Sequence, residues 1–133
     1  MVQISGKYEV VRADNFETHL LSMGAPKEVV EKVKDFKAVQ EFKHNGNKIT
    51  VDIHDDGFHS DLILNQEVDE KLSADLTIKT TAYLDGDTLT LKSKYPNGKS
   101  ETKIHKFSDS GLIVTLQDED PSTPDAVIVF KRL

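Results

Sequence analysis

The spacing of apolar residues changes once along the chain. Between residues 15 and 36 they recur at helical intervals, and from residue 38 onward short alternating runs are separated by tight-turn residues. This pattern predicts a first strand at residues 7–12, then a pair of helices, then only strands. A long antiparallel sheet must pair or cover its edges. We therefore expect a closed barrel with the helices as a lid over one mouth.

The helices are predicted at residues 15–23 and 26–35. Asp14 and Glu17 have the spacing of an N-cap and its capping-box partner, Gly24 is placed to end the first helix, and Pro26 to begin the second. Helical spacing predicts that the apolar faces of the two helices are formed by Phe16, Leu20, Met23, Val29, Val33 and Phe36.

The strands are predicted from hairpin turns and from their alternating faces. Turn sequences rich in Asn, Asp and Gly lie at residues 44–47, 55–57, 85–87, 96–99 and 108–111. Ile49, Val51 and Ile53 alternate with polar residues, whereas the shared face of Lys103, His105 and Phe107 is mixed. A solid barrel would show one apolar face per strand, so mixed faces indicate a partly polar, partly wet interior such as a ligand cavity.

Composition narrows the functional classes. The 133 residues, of which 37% are hydrophobic and 30% charged, predict a single domain spanning residues 1–133. A net charge of −6 argues against a nucleic-acid-binding face. The absence of cysteine excludes disulfides and thiolate sites. The N-terminal residues carry no basic and apolar signal, and no stretch is long enough to span a bilayer, so we expect a cytoplasmic location.

Several stretches of the chain resemble one known family. Residues 6–9, 15–17, 64–70, 78–80 and 84–89 are similar to the intracellular lipid-binding proteins, which comprise the fatty-acid-binding and cellular retinoid-binding proteins. The predicted helix pair is most like that of the liver and ileal, bile-acid-binding branch, and the ending at residues 130–133 is compatible with it.

This resemblance implies an all-β fold: a ten-stranded, up-and-down antiparallel barrel, or clam, with a helix-turn-helix lid after the first strand. It implies a non-enzymatic cytosolic carrier, for which we expect no cofactor. A closed barrel has no free edge, so we expect a monomer. The expected cargo is a lipophilic small molecule held in an internal cavity. Long-chain fatty acid is the first expectation; bile acid, retinoid or another neutral lipophile are the alternatives.

The resemblance also implies where the ligand head group binds. In many members an arginine and an arginine-x-tyrosine hold the ligand carboxylate, and these positions fall here on His105, Ile128 and Phe130. His105 is then the best deep donor, with Lys103 further along the same strand face. We expect ligand contacts on the portal side from Phe16, Leu20, Met23, Val29, Val33 and Phe58, and on the far wall from Val114, Leu116, Ile128 and Phe130.

Metal-binding and catalytic interpretations have little support. His54 and His59 flank a predicted turn, but no third ligand at suitable spacing completes a metal site, so we expect surface histidines. The acidic run at residues 118–125 lacks the positional pattern of a calcium loop and is predicted to be a solvated turn. No arrangement of nucleophile, base and acid is apparent.

A function of another class is a barrel used as a membrane or protein interaction module without a ligand. Lys27, Lys32 and Lys34 cluster on the predicted lid, where they would contact anionic lipid head groups transiently. Neighbouring acidic residues offset most of this charge, so an ordinary charged helix face explains the cluster equally well. A stoichiometric lipid in an extract of the purified protein would favour the carrier.

Overall fold

The computed structural model describes residues 4–22, 39–53, 58–73, 76–119, 123 and 125–133. In these residues ten strands accompany one short helix, α1 (Phe16–Ser22). The strands are β1 (Gly6–Asp14), β2 (Val39–Asn45), β3 (Lys48–Ile53), β4 (Phe58–Ile63), β5 (Glu67–Ser73), β6 (Leu76–Asp85), β7 (Thr88–Lys94), β8 (Ser100–Phe107), β9 (Gly111–Asp118) and β10 (Ala126–Arg132).

The strands form one antiparallel sheet that curls into a nearly closed barrel. Their order is β4-β3-β2-β1-β10-β9-β8-β7-β6-β5, so the ladder between β1 and β10 joins the two ends of the chain. The edge strands β4 and β5 contact each other, and Leu64 forms a bridge to Ala82 beside them. The predicted ten-stranded, up-and-down barrel is confirmed. Its closure relies on contact between β4 and β5 rather than on a ladder in the described parts of those strands.

Helix α1 confirms the first predicted helix but corrects its start. Asp14 is the last residue of β1 and pairs with Val127, so the predicted cap at Asp14 was wrong. Asn15, with a φ of 60°, takes the cap position instead, because its carbonyl oxygen accepts the first helical hydrogen bond from His19 at 3.0 Å. The second predicted helix lies outside the described residues.

The first strand is longer than its apolar pattern predicts. It extends from residue 6 to residue 14, and its pairing with β10 shifts between Val10 and Arg12. Val11 is the extra residue of this bulge and is exposed. A bulge interrupts the alternation of faces, which is why the polar end of β1 does not appear as a strand in the sequence.

The predicted turns are confirmed where the chain is described. Gly46 and Gly86 adopt φ values of 65° and 62° in the turns after β2 and β6, as a tight hairpin requires. The predicted turn at residues 55–57 lies outside the described residues.

One part of the interior is packed with aromatic rings. Tyr8, Phe42 and Phe107 are completely buried, and their ring centroids lie 5.3–5.7 Å apart in edge-on contacts. Inward-facing aliphatic residues such as Leu112 and Ile49 surround them. His105 packs at the border of this region, with its ring centroid 5.8 Å from that of Phe42.

Candidate ligand-binding site

The inward face of β8 runs from polar to apolar. Glu101, Lys103, His105 and Phe107 alternate with outward residues, as the mixed sequence pattern predicts. Phe107 belongs to the aromatic region, and Glu101 lies at the opposite end, where it contacts α1. Strand β8 therefore places a charged and a neutral polar side chain between the helix and the aromatic region.

The predicted far wall forms on the two strands beyond β8. His105 is paired in register with Val114, and Val114 with Ile128, while Lys103 is paired with Leu116. Phe130 lies opposite Leu112 on the next row. All four predicted wall residues are buried. The structure thus brings Val114, Leu116, Ile128 and Phe130 together with His105 and Lys103 on one continuous wall.

Glu101 is the centre of a buried polar cluster. Its Oε2 atom lies 2.5 Å from Nε2 of His19, and the Tyr95 hydroxyl donates a hydrogen bond to its Oε1 atom at 3.3 Å. Nζ of Lys103 lies 3.7 Å from the same Oε1 atom. One carboxylate therefore connects the helix, the end of β7 and the inward lysine.

Opposite charges in this cluster favour each other's ionised form. Burial alone would raise the pKa of Glu101, but the adjacent Lys103 and the contact with His19 bring that pKa below its usual range. Burial alone would lower the pKa of Lys103, and the carboxylates of Glu101 and Glu70 raise it above the usual lysine value. Glu101 is therefore anionic and Lys103 cationic at neutral pH.

Lys103 is the member of this cluster that keeps free surface. Its side chain retains 21% of its accessible area, whereas the side chain of its neighbour on the same face, Glu101, retains 2%. The Lys103 ammonium group therefore lies on the inner face of β8, beside the Glu101 carboxylate.

His105 is neutral in this environment. Burial, reinforced by the nearby ammonium group of Lys103, lowers its pKa to about 3. Its Nδ1 atom is buried without a hydrogen-bond partner. The proposal that His105 holds a ligand carboxylate stays a prediction, and the imidazole would act there as a neutral donor.

Other inward polar groups line strands β4 to β7. Thr80 and Ser93 are buried and hydrogen-bonded to each other at 2.8 Å. Oε1 of Glu70 and Oγ of Ser60 are buried without a partner. The predicted partly polar interior is therefore present in the described strands.

The structure describes only some of the residues predicted on the portal side. Phe16 is half-buried and packs against the core. Leu20 lies in α1 and Phe58 begins β4, but their side chains are not described. Six further predicted residues lie outside the described residues: Met23, Val29 and Val33 of the portal, and Lys27, Lys32 and Lys34 of the membrane surface.

The exposed His59 has carboxylate partners within the protein. His59 has a 55% exposed side chain and contacts Asp52 at 2.5 Å and Asp61 at 3.2 Å. These two contacts raise the pKa of His59. No group of three side chains suited to a metal ion occurs in the described part of the chain, and His54 lies outside it.

The sequence interpretation missed three polar residues of the interior. Glu101 and Glu70 share the faces of Lys103 and Val68, and His19 lies three residues after Phe16 on the helix. Alternation on the strands predicts that Glu101 and Glu70 face inward, and the helical spacing from Phe16 predicts the same for His19. They were passed over because charged residues are rarely buried unless they are paired, and their partners are distant in sequence.

Comparisons with known proteins identify the family. The chain is 30% identical to liver fatty acid-binding protein 1 of Ambystoma mexicanum over 118 residues, covering 87% of this chain and 90% of that one. It is 33% identical to the liver-type fatty acid-binding protein of Takifugu rubripes over 95 residues, covering 70% and 76%. The chain belongs to the fatty-acid-binding protein family. No family model matches it.

Comparison with a solved structure confirms the barrel fold of this member of the fatty-acid-binding protein family. The Schistosoma mansoni fatty acid binding protein, solved with arachidonic acid, superposes with a TM-score of 0.84 over 97% of this chain and 95% of that one. At 17% identity this likeness concerns the fold alone. The described helix of the present chain is too short to cross a membrane.

Proposed function

We propose that this member of the fatty-acid-binding protein family is a non-enzymatic carrier that binds one lipophilic molecule inside its barrel and moves it through the cytosol. Long-chain fatty acid is the proposed main ligand, because the relatives that cover most of the chain are named for it. Bile acids and retinoids are secondary candidates. The protein acts as a monomer and needs no cofactor.

The observation that carries this proposal is the inward cation of Lys103. A fatty acid is an alkyl chain with one carboxylate, and burial of a carboxylate is costly unless it is paired. Lys103 supplies a positive charge on the inner face of β8, and Leu116 and Val114 beside it supply apolar contacts. His105 adds a neutral imidazole on the same face.

Transient contact with anionic membranes through the lid is a weaker part of the proposal. It rests on Lys27, Lys32 and Lys34, which lie close together in the sequence but outside the described residues.

Displacement of an environment-sensitive fluorophore from the delipidated protein tests the proposal. Oleic acid at micromolar concentration is expected to displace the probe with one-to-one stoichiometry, and extraction should return it chemically unchanged. A failure of fatty acids, bile salts and retinoids alike to displace the probe would refute the carrier function. Recovery of an altered ligand would refute its non-enzymatic character.

A further inference from the structure

Two buried carboxylates act on a single buried lysine. Oε1 of Glu101 lies 3.7 Å from Nζ of Lys103, and Glu70 is buried on β5. Against the effect of burial, both carboxylates raise the pKa of Lys103. Burial raises the pKa of Tyr95, and both carboxylates raise it further. Because Glu70 acts on the same two residues as Glu101, strands β5 and β8 contribute to one buried group of charges.

Positive charge in this group is limited to two side chains. Lys103 carries one charge, and His19 carries a second whenever its imidazole is protonated. Nε2 of His19 lies 2.5 Å from Oε2 of Glu101, so the two share a proton directly. The charge cluster, formed by His19, Glu70, Glu101 and Lys103, therefore has at most as many positive charges as carboxylates.

Neighbouring elements leave this balance unchanged. Asp118 of β9 lies opposite Glu101 in the ladder and accepts a hydrogen bond from Ser22 of α1. The ammonium group of Lys99 donates to the main-chain oxygen of Ser22. His105, next on the inward face of β8, is neutral. Within the described part of the chain, these neighbours add one carboxylate and one ammonium group.

A fatty acid that binds beside Lys103 brings a third carboxylate to the cluster without a further cation. Carboxylates that share a buried site do not all ionise, and one of them keeps a proton. We infer that fatty-acid binding is coupled to the uptake of a proton from solvent, which Glu101 and His19 hold between them. The inference rests on the proposed function, because it concerns the carboxylate of the same cargo. A lower pH then favours loading and a higher pH favours release.

Calorimetric titration of the delipidated protein, in two buffers of different ionisation enthalpy, counts the protons taken up on binding. At neutral pH oleic acid is expected to bring about half a proton or more into the complex, so its affinity falls about threefold or more for each unit of rise in pH. Oleyl alcohol adds no carboxylate and should bind without proton uptake.

The failure of this inference is distinct from the failure of the carrier function. Binding of oleic acid with an uptake below about 0.2 proton would overturn the inference and leave the carrier function standing. An equal uptake with oleyl alcohol would also overturn it, because the alcohol brings no charge. If neither ligand binds, the proposed function fails together with the inference.

Variants show where the proton is held. Glu101→Gln and Glu70→Gln each remove one carboxylate but keep the side-chain shape, so each should take up less than about half of the wild-type amount with oleic acid. Either variant decides the question if the other folds poorly. Glu67→Gln is the matched control, because Glu67 lies on the same strand as Glu70 with a 46% exposed side chain, and it should keep the wild-type uptake.

Comparison among the variants cancels any proton that oleic acid itself binds in solution, because the free ligand is the same in every titration. Wild-type uptake in both Glu101→Gln and Glu70→Gln would place the proton outside the charge cluster and overturn the inference. His105→Leu should keep the wild-type uptake. Loss of the uptake in His105→Leu alone would assign the proton to that imidazole and overturn the inference as well.

Discussion

His19 and Glu101 are 82 residues apart in the chain, and their side chains meet at 2.5 Å inside the barrel. The His19 side chain is fully buried and that of Glu101 is 2% exposed. Two further contacts join the end of the helix to the same part of the barrel: Ser22 bonds Asp118, and Lys99 donates to the main-chain oxygen of Ser22. Polar contacts therefore hold α1 against β8 and β9.

Removal of His19 is expected to destabilise the protein. His19→Leu leaves the Glu101 carboxylate buried without one of its partners, and loss of one member of a buried pair costs about 3 kcal/mol. Urea unfolding, followed by far-ultraviolet circular dichroism, measures the difference in free energy of unfolding.

A matched control exists on the surface. His59→Leu breaks a contact of the same 2.5 Å length to Asp52, but the His59 side chain is 55% exposed. This variant should unfold at nearly the same urea concentration as the wild type, because water replaces the lost partner. Equal losses in both variants would mean that burial does not determine the strength of the His19 contact.

Stability is expected to fall with acid between about pH 6.5 and pH 4.5. The pKa of His105 is about 3 in the folded protein and near its ordinary value of 6.5 in the unfolded chain, so the unfolded chain binds one more proton in this interval. The contribution is complete above pH 6.5 and decreases by about 1.4 kcal/mol per pH unit as the pH falls.

Urea unfolding at several pH values should therefore show this slope in the wild type and a flatter one in His105→Leu. Glu101 adds to the acid sensitivity only below its ordinary pKa of 4.5, because its folded pKa is lowered. The same slope in His105→Leu and in the wild type would show that another group takes up the proton.

Lys103 is expected to distinguish carboxylates from neutral head groups. Lys103→Met removes the inward charge but keeps an unbranched apolar chain, so oleic acid should bind about tenfold more weakly and oleyl alcohol about as before. Lys106→Met, on the outer face of the same strand, is the control and should leave both affinities unchanged. An unchanged affinity of Lys103→Met for oleic acid would exclude Lys103 as the head-group partner.

His105 is expected to make a separate contribution to head-group binding. A neutral imidazole can donate one hydrogen bond to a carboxylate, so His105→Leu should weaken oleic acid by about tenfold and oleyl alcohol less. The same fluorophore displacement assay measures both ligands. Equal losses of affinity for the acid and the alcohol would mean that His105 affects the shape of the interior but does not bind the head group.

The barrel was predictable because its signals are local. Gly46 and Gly86 mark hairpins by their sequence, and the alternation of Ile49 and Val51 with polar residues marks a face. The cap at Asn15 was missed because the pairing of Asp14 with Val127 depends on a strand more than a hundred residues away. Strand ends set by such distant pairing leave no local signal.

The apolar wall of the site could be predicted from the sequence, but its buried charges could not. Ile128 and Phe130 face inward by simple alternation, whereas burial of Glu101 requires His19, Tyr95 and Lys103 together. Each of these residues, considered without its partners, indicates a solvent-exposed position. The burial of Glu70, too, is revealed only by the folded sheet.

The ladder between β1 and β10 has a consequence for the order of folding. Strands β5 to β10 form a meander in which each strand pairs with the next in sequence, so they can assemble through short loops. Pairing of Tyr8 on β1 with Arg132 on β10, by contrast, must close nearly the whole chain. We expect the meander to form early and the first strand to join it last. In a kinetic comparison, shortening Tyr8 should then speed unfolding, while shortening Leu91 should slow refolding.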